Sequence, residues 1–200
     1  MDGLTLVLIL AVVVYVLNTR AQRQHIALLG SQLGHFQIEK LMENLTEGYL
    51  RALGEEPGER REQIWSLLRT TERQLSEQFS QFAEDFARLD ANSTRVSRLP
   101  IALPGVAQLL PQATFDLRQA FAIHANGIAA AALDGESSPR DKAFTMSAEL
   151  FLMQHTCHWF CKSKTVASAR LLARHKTAYA QVLASVSPAT RKAYLALVAG

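Results

Sequence analysis

No aspartate or glutamate follows Glu149, and none separates Asp2 from Glu39. The C-terminal part is therefore purely basic, carrying Lys162, Lys164, Arg170, Arg174, Lys176, Arg191 and Lys192. A formal net charge of only +3 hides this division, because the stretch from Glu55 to Asp90 leans acidic. Such a division suits either pairing between the two regions or a basic surface turned toward anionic lipid.

Cysteine is scarce as well. Cys157 and Cys161 are the only two, four positions apart, which excludes the disulfide framework of small secreted domains and fits reducing surroundings. With six prolines and ten glycines in 200 residues, and 48% hydrophobic content, the chain is neither low-complexity nor disordered. Strand formers are thinly spread among Ala, Leu, Gln, Glu and Arg, so the expectation is an all-α protein. Signatures of nucleotide binding, serine hydrolysis and zinc peptidases (G-x-x-x-x-G-K-[ST], G-x-G-x-x-G, G-x-S-x-G, H-E-x-x-H) do not occur. No catalytic residue stands out, and an enzyme is not the expected reading.

What the chain does have is "LTLVLILAVVVYVL", Leu4 to Leu17, without a charge or a proline. A cleaved signal peptide wants a basic region before such a run and a small-x-small site after it, but here Asp2 precedes and "NTRAQRQH" follows. Residues 1–19 are therefore expected to be a retained transmembrane anchor, with a buried core helix as the alternative. Arg20 and Arg23 directly after the run place the remaining chain, 20–200, in the cytoplasm and the N-terminus outside. Taken as bacterial, this is a single-pass protein of the inner membrane.

Apolar residues then recur at helical spacing. Ile26, Leu29, Leu33, Phe36, Leu41, Leu45 and Leu53 suggest that the first helix continues out of the membrane until Gly54. A second helix starts in the acidic turn around Glu55 to Glu62, where negative charge favours a helix N-terminus, and shows Ile64, Leu68, Leu75, Phe79, Phe82, Phe86 and Leu89 on one stripe. Residues 99–111, "LPIALPGVAQLLP", form a Pro-rich connection, expected to pack over one end of the bundle, with the membrane interface as the alternative. A third helix spans Gln112 to Leu133, and its "AIHANGIAAAAL" implies a closely approaching neighbour. Ser138, Pro139 and Asp141 open a fourth, which meets no breaker before about Val186. Ser187 and Pro188 open a short C-terminal helix. The expected architecture is a bundle of about four long helices plus that short one.

One stretch invites a chemical reading: "HTCHWFCKSK", residues 155–164. At 100° per residue Cys157 and Cys161 fall about 40° apart, while His158 lies about 60° and His155 about 120° from Cys161. The four fan over nearly half the helix and cannot converge on one ion. His158 with Cys161 offers half of a tetrahedral zinc site, for which His124 on another helix is a candidate completing ligand. His124 is also a candidate haem ligand inside a bundle. The packing reading, in which the cysteines serve as small buried apolar groups, is preferred. A zinc- or haem-binding sensor or electron carrier is the alternative function.

Trp159, Arg170 and Arg174 lie on one side of the expected fourth helix, and together with Lys176 they are the candidate interaction surface. No nucleic-acid motif accompanies them, so nucleic acid is not an expected partner. Membrane lipid and a protein partner, or a second copy of the chain, are. The sequence thus points to a membrane-anchored helical interaction or assembly module.

Overall fold

The computed structural model describes residues 3–101, 105–106 and 110–199. Among them the protein has eight α-helices and one short strand pair, with one long apolar N-terminal helix followed by a helical bundle. Residues 102–104 and 107–109 of the Pro-rich connection lie outside the described residues.

Helix α1 runs Gly3–Leu33 as one uninterrupted rod of 31 residues. It is long and apolar enough to cross a membrane, and its most apolar 18-residue window is 0% buried against the protein, so this run is not a core helix. Only from Asn18 onward does α1 touch the bundle. The expectation that α1 continues to Gly54 needs correction, because the chain turns after Leu33 and restarts as α2 (Ile38–Gly54). Two long-range contacts hold that corner. The Gln78 side chain accepts from the Gln37 backbone N–H at 2.7 Å, and Phe36 packs edge-on against Phe82 with ring centroids 5.8 Å apart. Gly30 and Gly34 weaken the helix just where it must end.

Helix α2 and helix α3 (Glu59–Ala87) form an antiparallel pair. On α2, Ile38, Leu41, Leu45, Tyr49 and Ala52 are buried at three- and four-residue spacing. On α3 the buried face holds Trp65, Leu68, Leu75, Phe79, Phe82 and Phe86. This regular stripe makes α3 the most faithful product of its sequence pattern. Phe79, Phe82 and Phe86 surround Phe121 at centroid distances of 6.0, 5.1 and 4.8 Å, forming an aromatic core. Offset and edge-on rings of this kind add to simple area burial.

A two-stranded antiparallel ribbon, β1 (Arg95–Ser97) and β2 (Thr114–Asp116), bridges α3 and α4 and was not expected from the sequence. Asp116 ends β2 and caps α4 (Leu117–Leu133), accepting from the Arg118 N–H at 2.9 Å while pairing with its guanidinium at 2.7 Å. The third helix thus begins five residues later than the expected Gln112, which sits in a short 3-10 turn, Pro111–Ala113. Its small residues do admit a close neighbour: a Cβ on Gly127 would overlap the side chains of Glu149 and Thr190.

Helix α5 (Pro139–Cys161) is the central element. Ser138 accepts from the Asp141 N–H at 3.1 Å, and Pro139 occupies the first turn, as the sequence implied. The expected single helix to Val186 is instead three, since the chain breaks at Lys162 and again at Lys176 to give α6 (Lys164–His175) and α7 (Tyr179–Ser185). Ser163 caps α6 by accepting from the Val166 N–H at 3.3 Å, and the carbonyl of Pro100 accepts from both the N–H and the hydroxyl of Thr165, at 3.2 and 2.7 Å. Lys176 takes a left-handed conformation, φ 55°, that closes α6. Helix α8 (Pro188–Ala199) follows, with Ser187 accepting from the Thr190 N–H at 3.1 Å.

Candidate functional site

Helix α5 is apolar on nearly every face because α1, α2, α4, α6 and α7 all pack against it. Its "HTCHWFCKSK" segment is consequently divided among several neighbours. His155 is buried, shares a hydrogen bond with the Ser168 hydroxyl at 3.1 Å and stacks on Tyr179 at 4.4 Å. Trp159 is 2% exposed, donates its indole N–H to the Ser97 carbonyl at 2.8 Å and meets Phe115 edge-on. Trp159 therefore does not belong to the outer surface with Arg170, Arg174 and Lys176. The break at Lys162 rotates α6 away from the helical phase on which that grouping rested.

The candidate ligands His158, Cys161 and His124 are not brought together. His124 is fully buried, shares a hydrogen bond with Thr156 at 2.9 Å and tilts against the ring of Tyr194. Its imidazole pKa is pushed down to about 3, first by burial and then by His155. His158 sits half-buried beside Arg170 and Arg174, and its pKa is also lowered, chiefly by burial and then by those two guanidinium groups. Among the described residues no group of three or more His, Cys, Asp or Glu side chains is placed to hold a metal ion.

Neither thiol is activated as a nucleophile. Burial pushes the Cys161 thiol up to about 11 and the Cys157 thiol higher still. Metal binding and nucleophilic attack both need the thiolate. Cys157 instead lies against Met153, sulfur to sulfur at 3.8 Å, in the manner of a packing residue.

Beside a concavity lined by His158, Arg170 and Arg174, two further surface features among the described residues can be reached by a ligand or partner. The first is a groove of about 910 Å³ between α2 and α5, lined by Leu50, Leu53, Phe144, Phe151, Arg140 and Arg174 among others. Leu50 is 70% exposed and Phe144 64%, although both belong to helices whose other faces are packed. His175 at the edge of the groove stacks on Phe151 at 3.8 Å and is held by the Gln154 side chain at 2.8 Å. The sequence reading missed this groove, since its exposed apolar residues look like ordinary members of an amphipathic stripe. The only signal was Phe144, which falls outside the buried set Ala143, Met146 and Leu150 on the same helix.

The second feature is the corner where α1 meets the end of α5. The His25 ring stacks on Phe160 at 4.2 Å and its Nδ1–H donates to the Phe160 carbonyl at 2.9 Å, while Lys162 donates to the Gln22 side chain at 2.8 Å. A cavity of about 470 Å³ opens beside these contacts.

Together the fold and these surfaces define a helical bundle carried on a helix with the length and apolarity of a membrane span. No family model, no curated protein and no solved structure matches the chain.

Proposed function

We propose that the chain is a single-pass membrane protein that holds a helical interaction module on the cytoplasmic face of a bacterial inner membrane. The observation that carries this reading is the division of α1. Residues 3–17 are exposed throughout, and the same unbroken helix then packs on the bundle through Gln22, His25 and Leu29. Covering an exposed apolar helix with lipid removes a large hydrophobic penalty. Arg20 and Arg23 follow the apolar run directly, and the first acid beyond it is Glu39, which supports a cytoplasmic bundle.

The interaction role rests on the α2–α5 groove. Apolar residues rimmed by Arg140 and Arg174 suit an amphipathic partner helix with acidic flanks, supplied by another protein or by a further copy of this chain.

Two measurements test the proposal. Expressed in a bacterium, the full chain should stay with membranes through alkaline carbonate washing, and protease should digest the bundle only in inside-out vesicles. Extraction into the carbonate supernatant overturns the anchor, and digestion in right-side-out vesicles overturns the orientation. For the groove, a photo-crosslinker at Leu53 should give a discrete adduct that Phe144→Glu abolishes without changing the melting temperature. An adduct pattern unaltered by Phe144→Glu would remove the groove from consideration.

A further inference from the structure

The charge division in the sequence has a spatial counterpart at the corner between α1 and α5. Among the stretches of the chain without Asp or Glu are residues 3–38, 91–115 and 150–200. They are far apart in sequence, yet α1, the segment around β1 and the α5–α6 corner meet around the 470 Å³ cavity. Arg95 of β1 and Lys162 after α5 both line it, and neither has a carboxylate within ion-pair distance among the described residues. Arg95 is half-buried. Arg20 lines a second opening directly alongside, with Leu17, Ala21, Gln24 and Gly105. A basic, acid-free concavity of this kind raises the local concentration of anions.

The height of the cavity along α1 identifies the source of the anion. The apolar run of α1 ends at Leu17 and the first charge after it is Arg20, which puts the edge of the hydrocarbon core near that residue. The next five residues, to His25, rise about 8 Å at 1.5 Å each, and the headgroup layer on each side of the core is about 5 to 8 Å thick. Asn18, Ala21, Gln22, Gln24 and His25 are the α1 residues of the cavity wall, so the cavity extends from the end of the apolar run up to headgroup level. Its remaining wall is amphipathic in the matching sense. Leu99, Ile101 and Val106 provide apolar surface, and Ile101 is 58% exposed, suited to contact with the first methylenes of an acyl chain.

We infer that this cavity binds the phosphate group of an anionic phospholipid from the leaflet on the bundle side, with Arg95 and Lys162 as its charged contacts. The inference rests on the membrane-spanning reading of α1. It accounts for the placement of the basic, acid-free segments at this end of the bundle. It also gives Leu99, Ile101 and Val106 a role at the interface, next to the end of the apolar run. A lipid held there would join α1 to the bundle through a third component, beside the direct His25–Phe160 and Lys162–Gln22 contacts.

The test uses the full chain reconstituted into nanodiscs of phosphatidylcholine and phosphatidylglycerol in equal amounts, released into mild detergent and weighed intact by native mass spectrometry. Wild-type protein should retain one phosphatidylglycerol at least fivefold in preference to phosphatidylcholine. Arg95→Gln combined with Lys162→Gln should abolish that preference, whereas Arg170→Gln combined with Arg174→Gln, which line a different concavity, should keep it. Arg95→Lys with Lys162→Arg should also keep it, an outcome that a folding defect at these positions would not give. Equal retention of the two lipids by wild-type protein overturns the site. So does a preference that survives the double glutamine variant. Displacement of the retained lipid by millimolar inorganic phosphate overturns the lipid as the source and assigns the cavity to a soluble phosphate compound. Failure of the chain to enter nanodiscs at all refutes the membrane-spanning reading instead, which separates the two conclusions.

Discussion

At the scale of single residues, the most consequential group is one that the sequence concealed. Lys142 pairs with Glu72 at 2.9 Å, both buried, while Tyr49 donates to the other Glu72 oxygen at 2.7 Å and Lys142 also donates to the Ala132 carbonyl at 2.7 Å. Four helices meet at these side chains. In sequence Glu72 and Lys142 look like solvated members of charged faces, and nothing local marks them as a pair. Removing one partner leaves the other charge buried, so Lys142→Met should destabilise the folded chain by about 3–5 kcal/mol. Replacing both, Glu72→Met with Lys142→Met, should recover most of that loss. Urea unfolding of the full chain in detergent micelles, followed by circular dichroism, checks both values, and a double variant as weak as the single one would contradict the account. The cysteines behave in the opposite way, being chemically suggestive in sequence and inert in the fold. With its thiol raised from 9.0 to about 11, Cys161 should be alkylated at neutral pH about a hundredfold more slowly than in the unfolded chain, because only the thiolate reacts. Labelling kinetics with a maleimide in the presence and absence of denaturant measures this ratio.

At the scale of elements, what the sequence disclosed and what it hid separate by the range of the interactions involved. The start of α5 was legible in Ser138, Pro139 and Asp141, and that of α8 in Ser187 and Pro188, because a cap is made by residues three apart. The face of α3 was legible in its regular apolar spacing. The ends of α1 and α5 were not, because they are fixed from a distance, by Gln78 on Gln37 and by Ser97 and Pro100 on Trp159 and Thr165. Reading through the α5–α6 break as one helix carried Trp159 onto a surface it does not occupy. The strands of the ribbon, three residues each, are too short for an alternating pattern to register. The small-residue stretch of α4 did report correctly on a close approach, and it supports a sharp expectation. Gly127→Ala should lower stability by about 1–3 kcal/mol, since the added methyl must displace Glu149 and Thr190, both buried. The neighbouring exchange Ala130→Gly, on an exposed position of the same helix, should cost no more than about 1 kcal/mol. Thermal unfolding of the two variants side by side distinguishes the steric effect from a loss of helix propensity.

At the scale of the whole molecule, the distribution of ionisable groups predicts an acid-labile fold. Histidines His25, His124, His155, His158 and His175 all have pKa values below the ordinary range, and in each the leading cause is burial. A histidine with a lowered folded pKa binds fewer protons in the folded chain than in the unfolded one, so its contribution is complete above the unfolded value and declines as pH falls. For His124 and His155 the decline runs from 6.5 to about 3. A gap of that size corresponds to several kcal/mol for each residue at most, which is comparable with the whole stability of a typical domain. Glu149 works against them over part of the range. Its carboxyl is raised by burial even though Oε1 accepts from the Ser187 N–H at 3.0 Å, so it favours the folded chain as pH drops below its raised value. One acid does not offset two deeply buried imidazoles together with three partly buried ones. The bundle should therefore lose stability steadily below about pH 6.5, with a slope close to two protons near pH 5, where His124 and His155 are charged in the unfolded chain only. Denaturant titrations of the full chain between pH 4 and pH 8 measure that slope. His124→Gln should lower stability at pH 8 by loss of fit yet reduce the slope by about one proton, because the glutamine cannot titrate. An unchanged slope in this variant would mean that the buried imidazole at position 124 is not the group that charges when the bundle opens.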